Sequence, residues 1–155
     1  MKLSLVILQT FLFINIISSF SLFSRSRKNL SMLTMKQKEL TVDEWLESQD
    51  KKFFAKMQSD GNFVVYSAKG ANGRQQDHAT WASNTNGKGS APFRFAMQED
   101  GNLVLYDSTG RPLWASNTDK KGNGPYRTIM QNDGNLVLYD RDNKATWATG
   151  TNGKK

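Results

Sequence analysis

The 155-residue chain has no cysteine, one histidine and three prolines. Without cysteine there is no disulfide framework, zinc ribbon or thiol nucleophile, and His78 alone cannot build a histidine-rich metal centre. Also missing is a second domain's worth of chain, since a single core rarely divides below ~200 residues. Acidic residues are outnumbered, 14 against 21 basic ones, for a formal charge of +7. That surplus sits mostly before Leu40: residues 1–39 carry +5, which leaves +2 on residues 40–155. A body so close to neutrality lacks the basic stripe that phosphate-backbone binding needs, so nucleic acid is excluded as a partner.

The N-terminus divides from the rest by composition. Lys2 is followed by an apolar run from Leu3 to Ile17, too short for the ~20 residues of a membrane span, with Ser19 and Ser21 before a cleavage point after Ser21. Residues 1–21 therefore read as a signal peptide, 22–37 as a linker and 38–155 as the domain, and the product as secreted. Two alternatives stand: an uncleaved anchor reaching Phe23 with Arg25, Arg27 and Lys28 at the interface, or initiation at Met32 or Met35, which leaves a cytoplasmic protein. Asn29-Leu30-Ser31 is a glycosylation sequon that matters only on export.

Beyond the linker one unit occurs three times. Met57-Gln58-Ser59-Asp60-Gly61-Asn62-Phe63-Val64-Val65-Tyr66 returns as Met97-Gln98-Glu99-Asp100-Gly101-Asn102-Leu103-Val104-Leu105-Tyr106 and as Met130-Gln131-Asn132-Asp133-Gly134-Asn135-Leu136-Val137-Leu138-Tyr139. Each copy is followed by a second block, headed by Trp81, Trp114 or Trp147. The period is 33 residues for the last unit and 40 for the first, the extra seven lying between Tyr66 and Trp81. Helical arrays share such a period, but alternating Val, Leu, Tyr and Trp with Asp-Gly punctuation predicts strands. All 12 glycines follow Asp60, where turn-rich sheet begins, and residues 40–56 must supply the opening strand.

Turn length decides which side chains share a face, because a one-residue slip in an antiparallel pair moves every side chain across the sheet. A two-residue Asp100-Gly101 loop would set Gln98 opposite Leu103. A three-residue loop of Glu99, Asp100 and Gly101, with glycine left-handed, pairs Gln98 with Asn102. Only this register collects Gln98, Asn102, Val104 and Tyr106 on one face with Asp100 at the rim, and turns Met97, Leu103 and Leu105 inward. The same sorting holds in the other copies. Amides, a carboxylate, a phenol and an aliphatic patch together suit the hydroxyls and C–H face of a sugar. Turn chemistry alone accounts for Asp and Gly but not for Gln, Val and Tyr.

The Gln-x-Asp-x-Asn-x-Val-x-Tyr pattern, with its Trp-Ala-Ser/Thr block, resembles the bulb-type mannose-binding lectins over roughly residues 38–155. The resemblance implies an all-β fold, a β-prism of three four-stranded antiparallel sheets about a pseudo-threefold axis, with Trp81, Trp114 and Trp147 meeting at the centre. It implies three mannose sites, in which Asp and Asn hold the 2-hydroxyl, Gln the 3-hydroxyl and Tyr the 4-hydroxyl, while Val packs on the ring. The sites are Gln58, Asp60, Asn62, Val64 and Tyr66; Gln98, Asp100, Asn102, Val104 and Tyr106; and Gln131, Asp133, Asn135, Val137 and Tyr139. The family's usual disulfide is absent, and the insertion after Tyr66 bears on the first site. The partners implied are mannose-containing glycans and glycoproteins, bound multivalently and without a cofactor or metal. Because the first unit lacks a preceding Trp block, the C-terminal strand is expected to complete the first sheet, and the resemblance favours doing so by exchange in a homodimer.

Catalysis is the first rival. Glycoside hydrolysis uses two carboxyl groups about 5–9.5 Å apart. Each unit repeats only one, since Glu99 is replaced by Ser59 and Asn132 in the other copies. His78 lacks a positioned partner in the sequence, and Asp140-x-Asp142 lacks the glycine and glutamate of a calcium loop. The chain therefore reads as a binding protein and not an enzyme. The second rival is a non-catalytic adaptor that binds protein or membrane surfaces through degenerate sugar sites.

Overall fold

A computed structural model describes residues 29–67 and 78–154. The leader 1–21, the Arg25–Lys28 cluster and the greater part of the insertion after Tyr66 lie outside the described residues. Thirteen strands and no helix occur among the described residues, as alternating burial and frequent glycine turns require.

The strands form three sheets. The first holds β4 (Trp45–Glu47), β5 (Phe53–Met57), β6 (Phe63–Ser67) and β7 (His78–Ala82). The second holds β3 (Glu39–Thr41), β8 (Arg94–Met97), β9 (Leu103–Tyr106) and β10 (Pro112–Ala115). The third holds β2 (Met32–Leu33), β11 (Arg127–Met130), β12 (Leu136–Tyr139) and β13 (Ala145–Ala148). Each of these four-strand sets is antiparallel throughout. A fifth short strand, β1 (Asn29–Leu30), lies parallel to β4 at the edge of the first sheet.

Two expectations are corrected here. Residues 29–37 are not all linker: β2 pairs with β11, and Leu33 is fully buried in the common core. The C-terminal strand does not complete the first sheet, because β13 pairs with β12 of its own sheet and β4 occupies the fourth place in the first. The segment 32–47 thus distributes one strand to each sheet, covering the edges of β5, β8 and β11, and β1 adds a fifth strand to the first sheet.

The core lies between the sheets and is built from the inward-facing alternate positions, among them Met57, Phe63, Phe95, Met97, Leu103, Leu105, Leu136 and Leu138, each 0–1% exposed. Phe63 stacks on Phe95 with ring centroids 3.8 Å apart. Trp81, Trp114 and Trp147 meet edge to face about the axis, at centroid separations of 5.5, 5.7 and 5.4 Å, a geometry that sets the positive ring edge against a negative face.

The sheets are also locked cyclically at the turns. Gly61, Gly101 and Gly134 have φ of +87°, +86° and +88°. A Cβ at Gly61 would stand 2.9 Å from the Phe93 ring, at Gly101 2.5 Å from Tyr126 and at Gly134 2.7 Å from Phe53. Each turn therefore seats the first aromatic of the next unit, the third closing on the first.

Candidate functional site

Each hairpin turns in three residues. The Gln58 N–H donates to the Asn62 carbonyl (2.9 Å) and the Gly61 N–H to the Gln58 carbonyl (3.2 Å). Gln98 with Asn102 (2.8 Å) and Gln131 with Asn135 (2.9 Å) repeat the arrangement. Gln and Tyr consequently fall on one face. The side-chain amide of Gln58 donates to the Tyr66 hydroxyl at 2.7 Å, that of Gln98 to Tyr106 at 2.6 Å and that of Gln131 to Tyr139 at 2.6 Å.

The polar groups divide their hydrogen-bonding capacity between fold and surface. One carboxylate oxygen of Asp60, Asp100 and Asp133 accepts the N–H of Asn62, Asn102 and Asn135, each at 2.9 Å, which fixes the turn. Among the described residues the second oxygen has no partner. The Asn102 Oδ1 accepts from the Ser116 hydroxyl (3.0 Å) and the Thr118 N–H (3.2 Å), while the Thr118 hydroxyl donates to the Gly101 carbonyl (2.7 Å). Ser83 and Thr85 hold Asn62 in the same way, and Thr149 and Thr151 hold Asn135. This brace explains the Ser/Thr-x-Thr of the second block. Each asparagine spends its carbonyl on structure and keeps its NH2 group as a donor, each glutamine keeps its carbonyl as an acceptor, and each tyrosine keeps its O–H as a donor.

Val64, Val104 and Val137 are each 3% exposed. They lie across from Ala82, Ala115 and Ala148 of the second block. They therefore present little open apolar face, and the residues paired with them are small.

The structure adds residues that the motif omits. Position four before each glutamine falls opposite the tyrosine: Phe54 on Tyr66, Arg94 on Tyr106, Arg127 on Tyr139. The Arg94 guanidinium lies 4.3 Å from the Tyr106 ring centroid, and that of Arg127 lies 5.0 Å from Tyr139. Arg94 is also drawn to Glu39 (3.5 Å), while Arg127 donates to the Asp140 carbonyl (3.0 Å) and to Asn143. Such stacking holds the phenol in place by a cation–π contact. In the first site Phe54 stacks on Tyr66 instead, at 5.1 Å and 21°. Tyr66 is only 8% exposed, and burial pushes its phenol above the ordinary value. Lys56, paired with Asp43 at 2.8 Å, stands where the other sites have Ala96 and Ile129. The loop register was enough to locate these positions, since counting back from the turn places residue 94 across from Tyr106.

Of the residues set aside, His78 is exposed on β7. Asp140 is buried and its carboxylate accepts backbone N–H groups of Lys144 (2.9 Å) and Asp142 (3.0 Å), which makes it a turn brace. No group of three or more potential metal-ligating side chains occurs among the described residues.

No protein-family model matches the chain. It is 40% identical to a solved structure of the monomeric monocot mannose-binding lectins of Gastrodia elata, with a TM-score of 0.66, covering 79% of this chain and 99% of that one. It is 38% identical to the mannose-specific agglutinin of snowdrop, Galanthus nivalis, solved with methyl-α-D-mannoside, with a TM-score of 0.61, 79% of this chain and 97% of that one. The B-type lectin plumieribetin of Scorpaena plumieri is 37% identical over 76 residues, which are 49% of this chain and 58% of that relative, less than two thirds of its length. The prism and its outward polar faces define a carbohydrate-binding lectin, not an enzyme. The chain belongs to the bulb-type, monocot mannose-binding lectin family.

Proposed function

We infer that the protein is a mannose-specific lectin that binds glycans and glycoproteins multivalently through its three Gln-x-Asp-x-Asn-x-Val-x-Tyr faces. The observation that carries this reading is the glutamine-to-tyrosine hydrogen bond, made three times on the face that bears the unpartnered aspartate oxygen. The snowdrop agglutinin, solved with a mannoside, supports it. Four or five hydrogen bonds of about 0.5–1.5 kcal/mol net give one exposed site millimolar strength, near −4 kcal/mol, so avidity of ~10²–10⁴-fold must come from number. Sites two and three share the arginine-backed tyrosine. Site one, with Phe54 and Lys56, is the weaker. On an immobilised mannose column the protein is retained and is eluted by free mannose; passage without delay would remove this reading and leave the adaptor.

The homodimer by strand exchange implied by the resemblance would require β13 to leave β12. Its seat there supports avidity carried by the three sites of one chain, and the Gastrodia elata lectins are described as monomeric. We also propose export, on the strength of the apolar run Leu3–Ile17. Initiation at Met35 would delete Leu33 from the core, which speaks against that cytoplasmic alternative. Expressed from the full reading frame, the protein should be found in the medium with an N-terminus at Leu22 by mass spectrometry; a product retained in the cell with a terminus at Met32 or Met35 would contradict export.

A further inference from the structure

Among the described residues the first sheet alone has a fifth strand, and that strand opens on the Asn29-Leu30-Ser31 sequon. β1 runs along β4 with Asn29 opposite Trp45 and Leu30 opposite Leu46. Leu46 is fully buried and Leu30 packs against the core, so strand alternation assigns Trp45 and position 29 to the outer face. Ser31, which supplies the hydroxyl of the sequon, is exposed at the step to β2.

The register across the sheet forms one row of Asn29, Trp45, Lys56, Val64 and Ala82. Val64 belongs to site one. The sequon therefore stands on the face of site one, three strand spacings or ~14 Å from its valine. The surface between them suits sugar. Trp45 packs against the cluster of Phe54, Val64 and Tyr66, and next to it in the row the Lys56 side chain is 20% exposed and paired with Asp43. An indole covers the apolar C–H face of a pyranose, and an ammonium donates to hydroxyl or acetamide oxygens. At the place of Trp45 the other two sheets have Glu39, opposite Ala96, and Met32, opposite Ile129. Among the described residues neither of those sheets has a strand beyond.

We propose that Asn29 carries an N-linked glycan of the high-mannose class, whose inner N-acetylglucosamine residues lie along Trp45 and whose mannose branches occupy site one of the same chain. The proposal rests on the mannose reading and on export. The oligosaccharide comes from a polyprenyl diphosphate donor during export: the Asn29 amide nitrogen bonds to C1 of the first N-acetylglucosamine and loses a proton, the bond from C1 to the diphosphate oxygen breaks, and the lipid diphosphate leaves with the electron pair. The glycan also shields the open edge of β1, whose unpaired backbone groups would otherwise invite another strand. A mannose tethered at an effective concentration of several millimolar competes with free sugar for a site of millimolar strength. Sites two and three, without such a strand, stay open to other glycans.

The test expresses the full reading frame in a eukaryotic secretory cell whose glycans are kept in the high-mannose form, with Gln98→Ala and Gln131→Ala so that site one alone reports. Mass spectrometry of the product in the medium should find a high-mannose glycan on Asn29. Methyl α-mannoside should bind this protein about three- to tenfold more weakly than the same protein carrying Asn29→Gln. Enzymatic trimming of the glycan to its first N-acetylglucosamine should restore the affinity of the Asn29→Gln form without any change of sequence. An unmodified Asn29 in the secreted product, or equal affinity in the intact, trimmed and Asn29→Gln forms, overturns the proposal. The chain with sites two and three intact separates the readings: if it binds the mannoside, such a result overturns the proposal alone, and if no form binds, the mannose reading falls with it. A product retained in the cell without a glycan overturns export and the proposal together.

Discussion

Within each face, no polar residue has a single duty. Asp100 orders its turn with one oxygen and shows the other outward, and Asn102 gives its carbonyl to Ser116 and Thr118. Substituting the asparagine would therefore loosen the hairpin as well as the site, so glutamine and tyrosine are the cleaner probes of binding. The turn glycine has the strictest requirement. Gly101→Ala would place an L residue at φ +86° and press its Cβ into the Tyr126 ring, 2.5 Å away. A loss of about 1–3 kcal/mol is expected from the backbone strain alone, read by denaturant unfolding. An unchanged midpoint would show that the seat of Tyr126 contributes nothing. The glycine, glutamine and tyrosine of this face were legible in the sequence because a repeat written three times exposes its register. Arg94, Arg127 and Phe54 could be located from the same register but were not singled out, because they differ between copies and so fall outside the repeated motif.

At the scale of the strand, each hairpin is local but each fourth strand is not. Each repeat supplies three strands of its sheet, and the fourth comes from the segment before the repeats. Hydrophobic alternation is too short in Met32–Leu33 and Glu39–Thr41 to mark them as strands. Their place is set by the open edges of β11 and β8 and by burial of Leu33 and Leu40, both fully covered. That is why the segment before residue 38 reads as linker in the sequence and proves to be sheet in its last part. Leu33→Ala should cost about 2–5 kcal/mol, the usual range for a buried leucine that leaves a cavity, measured by thermal or denaturant unfolding. A cost near zero would mean that β2 is dispensable and that the domain begins where the repeats do.

For the whole molecule, closure is cyclic. Aromatic residues of one unit sit on the glycine of the previous one, and the tryptophans meet at the axis. With every sheet supplied from one chain, light scattering should return the mass of a single chain; a two-chain mass would restore strand exchange. Acid should act through two buried corners. The Thr109 hydroxyl holds the Asp107 carboxyl below its ordinary value, and the Lys144 N–H does the same for Asp140. A depressed folded-state value means the contribution is complete above the unfolded value, about 3.9, and is lost as pH falls toward the folded one. Stability should thus be level from about pH 5 to 7 and decline below about 4. The Asp107→Asn, Asp140→Asn protein should be less stable at pH 6 and show a shallower acid decline. An identical decline in both proteins would place the acid sensitivity elsewhere.

The proposed function requires that the three outward faces bind mannose. Titrating the full protein with methyl α-mannoside and following its amide signals tests this most directly. Saturable millimolar shifts clustered on Gln98, Asn102 and Tyr106 and on Gln131, Asn135 and Tyr139, with weaker ones at Gln58 and Tyr66, are expected. Shifts confined to residues off these faces, or none at tens of millimolar sugar, would contradict it.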